Sequence, residues 1–181
     1  KEIFLDIDFE FNTHSNYLID IGIALQVEDD SNILAYSNGF DSISLIRWVK
    51  DNYKNKSILI REHPSSHLSY KKFGNIDFSQ NSIGFINKCE SIITINSSVG
   101  LEALLFNKNV KILGDSPFAF IDKLSNDKEK LLAINFAVFG YMIPYEFLFN
   151  YNYYLWRLSK PTEQEIFNKH LKFYEQKILI R

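Results

Sequence analysis

The sequence has a single cysteine, Cys89, which excludes an internal disulfide and every metal site built on several cysteines. A lone thiol suits a reducing compartment, so the cytoplasm is the expected setting. No basic run occurs and the net charge is −2, which leaves no electrostatic case for nucleic acid. The chain has no GxSxG, no HExxH, no P-loop and no GxGxxG, so the familiar short signatures of bond-making chemistry are missing. Also missing is any run of about 18 consecutive apolar residues, and a membrane-spanning helix is not expected. The nearest candidate, Leu131 to Trp156, is interrupted by Asn135, Pro144, Glu146, Asn150 and Asn152. It reads as core or interface packing, with peripheral contact with a membrane surface as the alternative. The chain opens on Lys1 and a strand-like run instead of a signal peptide, and the absent initiator Met points to a piece of something longer.

What is present is an ordinary globular composition, with 46% hydrophobic and 23% charged residues over 181 positions. That length suits about one domain. The expectation is a single domain over 1–181, with a strand or linker at 1–16 and an aromatic-rich helical extension at 131–181. Phe4 to Phe11 alternates strictly, with Leu5, Ile7, Phe9 and Phe11 opposite Asp6, Asp8 and Glu10. Asp6-Ile7-Asp8 has the form of a DxD metal motif, but a wet strand face explains the same carboxylates, and no metal site is expected.

Tyr17 to Gln26 is a continuous apolar run, as in a strand covered on both faces. A helix follows over Ser42 to Lys50, then a strand over Ser57 to Pro64, stopped by a proline that cannot donate to a ladder. Gln80 to Glu90 reads as a short helix, Ser91 to Ile95 as a strand, Leu101 to Asn107 as a helix and Val110 to Leu113 as a strand. Thr162 to Lys177 closes the chain as a helix entered through Pro161. Strands alternating with helices imply an α/β fold with a parallel sheet flanked by helices. In such sheets the ligand lies beyond the carboxyl ends of the strands. The residues expected at those exits are Gln26, then His63-Pro64, then Asn96-Ser97-Ser98, then Gly114-Asp115.

The serine exit leads into a helix whose first amide hydrogens lack internal partners, which suits an anion such as phosphate. Gly100 would let the backbone come close to that guest. A serine at this position also serves as an ordinary N-cap, worth about 1 kcal/mol. Glu102 stands four residues after Ser98, which is too far for a capping box, and is placed to accept ribose hydroxyls. An acid near a helix start is also favourable without any ligand. His63, at an exit read as neighbouring the serine loop, could donate a hydrogen bond or a proton to a leaving phosphate. His14, His67 and His170 have no comparable support.

Three segments in order carry a family resemblance: ALQVEDDSNI (Ala24 to Ile33), REHP (Arg61 to Pro64) and TINSSVGLEALLFNKNVKILGD (Thr94 to Asp115). Over roughly Ile21 to Phe118 the chain resembles the C-terminal nucleotide-binding half of bacterial capsule polysaccharide biosynthesis glycosyltransferases. That family includes β-Kdo transferases, which take 3-deoxy-D-manno-octulosonic acid from its CMP conjugate. The resemblance implies a Rossmann-like domain forming the C-terminal half of a GT-B enzyme, with the donor nucleotide-sugar in the cleft between two halves. It implies that His63, Pro64, Ser97 and Ser98 grip the CMP phosphate and that Glu102 binds the ribose. Gln26 and Asp30 would line the donor site. It also implies a metal-independent reaction, a glycan or glycolipid acceptor, and work in capsule or lipopolysaccharide synthesis at the inner face of the bacterial inner membrane. Asn107-Lys108-Asn109 departs from the Gly-Lys-Pro turn of many relatives. The acceptor half, and the catalytic carboxylate it would supply, are not recognisable in the chain. Two rivals stay open: a transferase or epimerase for UDP-sugars, and a non-catalytic assembly domain with the aromatic C-terminal third as its partner surface.

Overall fold

The computed structural model describes residues 18–178. The alternating segment Phe4 to Phe11, its Asp6-Ile7-Asp8 motif and His14 lie outside the described residues. The chain divides into two compact units, the first ending at Asp115 and the second beginning at Ser116. The expected aromatic extension at 131–181 falls inside the second unit.

The first unit is a five-stranded parallel sheet: β1 (Ile19–Ala24), β2 (Ile58–Arg61), β3 (Asn75–Ile76), β4 (Cys89–Thr94) and β5 (Asn109–Ile112), in the spatial order β3-β2-β1-β4-β5. In β1, Ile21 and Ile23 point to one face and Gly22 and Ala24 to the other, because side chains alternate along a strand. Both faces are covered, which is why this strand reads as an unbroken apolar run. On one face α2 (Ser42–Asn52) buries Leu45, Ile46 and Val49 against Ile21, Ile23, Ile60 and Ile93. On the other, α3 (Ser82–Lys88) and α4 (Ser98–Leu105) bring Phe85, Ile86 and Ala103 against Ala24, Leu59 and Ile92. Asp41 caps α2 in a capping box with Ser44, their reciprocal bonds measuring 2.6 and 2.8 Å. Additional to the elements expected from sequence are the six-residue α1 (Ser31–Tyr36), capped by Asp30, a 3-10 turn at Lys71–Phe73 and the two-residue edge strand β3.

Gly22 is where helix and sheet come closest. A Cβ there would stand 2.7 Å from both Cys89 Sγ and Phe85 Cζ, and 2.8 Å from Ile92 Cδ1. Cys89 is fully buried beneath it, and burial pushes its thiol up to about 12. Beyond β2, Asp77 is sealed in with no exposed side-chain surface, and Arg61 and Lys88 reach its two oxygens at 2.7 and 3.0 Å. Burial raises the Asp77 pKa, but bonds from Ser79, Lys88 and Arg61 outweigh it and leave the carboxyl below its usual range.

The second unit is helical. α5 (Asp127–Asn135) runs into a π-helical turn at Phe136–Tyr141, followed by α6 (Tyr151–Leu158) and α7 (Glu163–Ile178). Its core is aromatic: Phe139 meets Phe167 and Tyr174 edge-on, and Phe147 packs on Tyr153 and Phe173. At its centre His170 is fully buried, with Nδ1 2.6 Å from the Phe139 carbonyl and Nε2 2.8 Å from the Tyr153 hydroxyl. Nδ1 therefore carries the proton and Nε2 accepts. Among the described residues no helix is long and apolar enough to cross a membrane.

Two outcomes follow from this packing. Gly22→Ala should lower stability by about 1–3 kcal/mol, because three core atoms must move to admit one methyl; the shift in denaturant midpoint measures it. Burial, with smaller contributions from Arg157 and Lys169, holds the His170 pKa below its ordinary value against the opposing pull of the Phe139 carbonyl. The folded ring stays neutral while the unfolded one gains a proton near pH 6.5. Stability should thus be full above about pH 6.5 and fall as pH drops below it. Equilibrium unfolding across this window should show that slope, and His170→Gln should flatten it.

Candidate functional site

Strand order fixes where a ligand can sit. β1 leads to α1 and α2 on one face of the sheet, and its neighbour β4 leads to α4 on the other. The connections thus part at the carboxyl ends of β1 and β4 and leave a crevice, the usual ligand position in open α/β sheets. Gln26 follows β1 there, and Asn96, Ser97 and Ser98 follow β4.

These residues are tied to one another. The Asn96 backbone N–H donates to Gln26 Oε1 at 3.3 Å. The Asn96 side-chain amide donates to the carbonyls of Asn32, Tyr36 and Asp115 at 3.1, 3.2 and 3.3 Å. Its Oδ1 is buried and has no hydrogen-bond partner among the described residues. Sequence reading lists Asn96 among the nucleotide-binding residues; the structure shows its amide hydrogens already committed to the backbone. Asp30 is likewise engaged as the N-cap of α1, accepting from Asn32 N–H at 2.7 Å.

The two serines separate into different roles. Ser97 is buried and caps α4, its Oγ accepting from Val99 N–H at 3.3 Å, while its own N–H donates to Thr94 Oγ1. Ser98 is exposed, and its hydroxyl makes no hydrogen bond among the described residues. Gly100 lies where α4 meets the sheet. It is buried, and a Cβ there would stand 3.1 Å from Thr94 Cγ2, so its smallness serves helix-on-sheet contact. Glu102 accepts a short hydrogen bond from Ser82, which joins α4 to the start of α3 and leaves one carboxylate oxygen over.

His63 and Pro64 are exposed on the β2 exit. His63 Nδ1 accepts from Ser65 N–H at 3.1 Å, so in the neutral ring the proton sits on Nε2 as a donor. This exit is not beside the serine loop, as sequence suggests. β1 lies between β2 and β4, so the two exits stand two strand spacings apart, about 10 Å. Gln26 occupies the interval, so the span suits a ligand longer than a bare phosphate.

Sequence reading missed what positions the His63 loop. Glu28, just past β1, accepts from Ser66 Oγ at 2.6 Å and from Tyr70 OH at 2.8 Å. Burial raises the Glu28 pKa, but these two bonds outweigh it and the carboxyl stays ionised below its usual range. Burial, first of several causes, pushes the Tyr70 phenol up to about 12, so it remains a donor. Glu62 accepts from Tyr70 N–H at 2.5 Å and completes the clamp. No short motif could have revealed it, since the partners lie about forty residues apart. Among the described residues no group of three or more His, Cys, Asp or Glu could hold a metal ion.

The fold has counterparts elsewhere. The chain is 22% identical to the beta Kdo 2,7 transferase of Thermosulfurimonas dismutans KpsC, covering 66% of this chain and 45% of that one with a TM-score of 0.54, a likeness of fold. A second solved structure, the beta Kdo 2,4 transferase of the same KpsC, is 15% identical with a TM-score of 0.49 over 67% of this chain and 45% of that one. Protein FixF of Sinorhizobium fredii is 32% identical over 137 residues, which are 60% of this chain and 33% of FixF. The chain thus spans a third to less than half the length of these relatives. The family model described as capsule polysaccharide biosynthesis protein matches residues 6–131, well over half the sequence. The chain belongs to the capsule polysaccharide biosynthesis protein family.

Proposed function

We propose that this chain is the donor-nucleotide-binding unit of a glycosyltransferase of capsule or lipopolysaccharide synthesis, with CMP-Kdo as donor. The observation that carries the reading is the crevice at the β1 and β4 ends, where Gln26, the exposed Ser98 and the start of α4 come together. Family membership supports the glycan-building role, and the likeness in fold to a protein named a beta Kdo transferase supports the donor. The share of that chain left uncovered supports a second α/β half, as in a GT-B enzyme, which would bring the glycan or glycolipid acceptor and the catalytic carboxylate. The setting in this reading is the cytoplasm, at the inner face of the membrane.

The donor phosphate lies against the first turn of α4, where the helix dipole and the Ser98 hydroxyl meet its charge. Transfer breaks the bond between the sugar's anomeric carbon and a phosphate oxygen, and the electron pair leaves with CMP. The acceptor hydroxyl forms the new bond and gives up its proton to a base from the other half. His63 donates its Nε2 hydrogen to the departing phosphate, from a loop clamped by Glu28. Glu102 offers its second oxygen to the ribose. The helix dipole, Ser98 and His63 stabilise the phosphate charge in this reading, so the reaction needs no metal.

One observation favours a second reading, an assembly domain without catalysis: Tyr145, Phe149 and Tyr151 are 76, 89 and 73% exposed, as a partner surface would be. Calorimetric titration with CMP separates the two. CMP should bind, UDP should compete poorly, and Ser98→Ala and His63→Gln should each weaken CMP. A hydrogen bond to a charged group is worth about 1.5–3 kcal/mol, or about tenfold or more in affinity. Neither substitution touches a cap or the core. Equal affinity in wild type and both variants would refute the donor site, and no affinity at all would favour the assembly domain.

A further inference from the structure

The helical unit contains a cavity of about 360 Å³ that the nucleotide reading does not use. It lies between the start of α6 and one face of α7. Its floor is aromatic: Phe147 and Phe173 have ring centroids 4.8 Å apart, and Phe147 stacks on Tyr153 at 4.8 Å and 20°. Tyr153 is in turn anchored from behind by its hydroxyl on His170, so the floor is rigid.

The rim is polar. Lys169, Lys172, Phe173 and Gln176 follow the i, i+3, i+4, i+7 spacing that places them on one face of α7. Asn150 and Asn152 face them from the start of α6. The Asn150 oxygen is occupied in capping Tyr153 N–H at 3.0 Å, which leaves its NH2 group as a donor. Lys172, Asn152 and Gln176 make no hydrogen bond or ion pair among the described residues, and Lys169 rests its ammonium 4.5 Å over the Trp156 ring. The lining includes no carboxylate, although the chain carries 22 acidic residues against 20 lysines and arginines. Two cations without acid partners among the described residues, beside exposed amides and an aromatic floor, form a concave site of positive potential.

Each part selects a feature of the guest. Aromatic faces gain dispersion contact with the C–H face of a sugar ring. Carboxamides exchange hydrogen bonds with hydroxyls, and ammonium groups bind a carboxylate. The volume lies within the roughly 300–1,000 Å³ of small-ligand sites. A bare inorganic anion would leave the aromatic floor unused, and a neutral sugar would leave the lysines unused. We propose that this cavity binds an acidic sugar unit of a glycan, at a site built wholly within the helical unit. It goes beyond the donor-nucleotide reading and does not depend on it.

The test is calorimetric titration of the whole 181-residue chain with tetragalacturonate, a carboxylated glycan. Maltotetraose serves as its neutral counterpart and inorganic phosphate as a plain anion. Tetragalacturonate should bind and shift Trp156 emission as Lys169 leaves the ring. Maltotetraose should bind about tenfold more weakly, and phosphate should give no heat. Lys172→Ala should cost about tenfold and Lys172→Glu should abolish binding. Both change an exposed side chain, and Gln176→Ala is an independent second variant that should also weaken binding. Saturating CMP should leave the affinity unchanged. The proposal is overturned if tetragalacturonate does not bind, if Lys172→Glu binds it as wild type does, if phosphate or maltotetraose matches it, or if CMP displaces it. A chain that binds CMP but not tetragalacturonate sinks this site alone; the reverse result sinks the donor site alone.

Discussion

Asn96 holds the strand-end crevice in shape. Its carboxamide stands behind the β4 exit and reaches three backbone carbonyls, two from α1 and one from the segment after β5, while its own N–H reaches Gln26. An amide has two hydrogens, so three acceptors share them. The orientation of the group is thereby fixed, and its oxygen is left buried without a donor among the described residues. A buried acceptor of that kind costs about 1–3 kcal/mol, which the shared latch must offset. Gln26, α1 and the β5 exit are tied together by this latch. α1 is too short to stand alone, the β5 exit folds back onto Tyr36, and Gln26 is oriented by the bond it accepts.

The crevice is also asymmetric. On the β4 side Ser97 has spent its hydroxyl on the helix cap, so only Ser98 presents one outward. On the β2 side the His63 ring is set by Ser65, and its loop is pinned to the β1 side through Glu28, Ser66 and Tyr70. The two sides are therefore held by separate sets of bonds, and loosening Glu28 would move the imidazole without touching the serine loop.

Sequence made the strands and most helices legible, because β1 and β4 are apolar on both faces and α2 buries one stripe. Their exits were legible for the same reason, since polar residues after a buried run mark where a strand leaves the core. Spatial order was not legible. Nothing in the segment from Ser57 to Pro64 says that β2 pairs with β1 and stays clear of β4, so His63 was read as a neighbour of the serines. At Gly100 and Asn96 tight packing and ligand approach require the same small or amide side chains, so sequence alone does not separate the two roles. The edge strand β3 has two residues and α1 has six, too few for a period to register. Asp77 and the Glu28 clamp depend on partners distant in sequence, which only the fold brings together.

The buried position of Cys89 has an experimental use. The chain carries a single thiol, placed under Gly22 against α3 and held in its unreactive protonated form. A maleimide reagent can reach that sulfur only when the central layer of the sheet comes apart. Its labelling rate therefore counts how often the first unit opens and is blind to fraying in the helical unit, an intrinsic clock that requires no engineered probe.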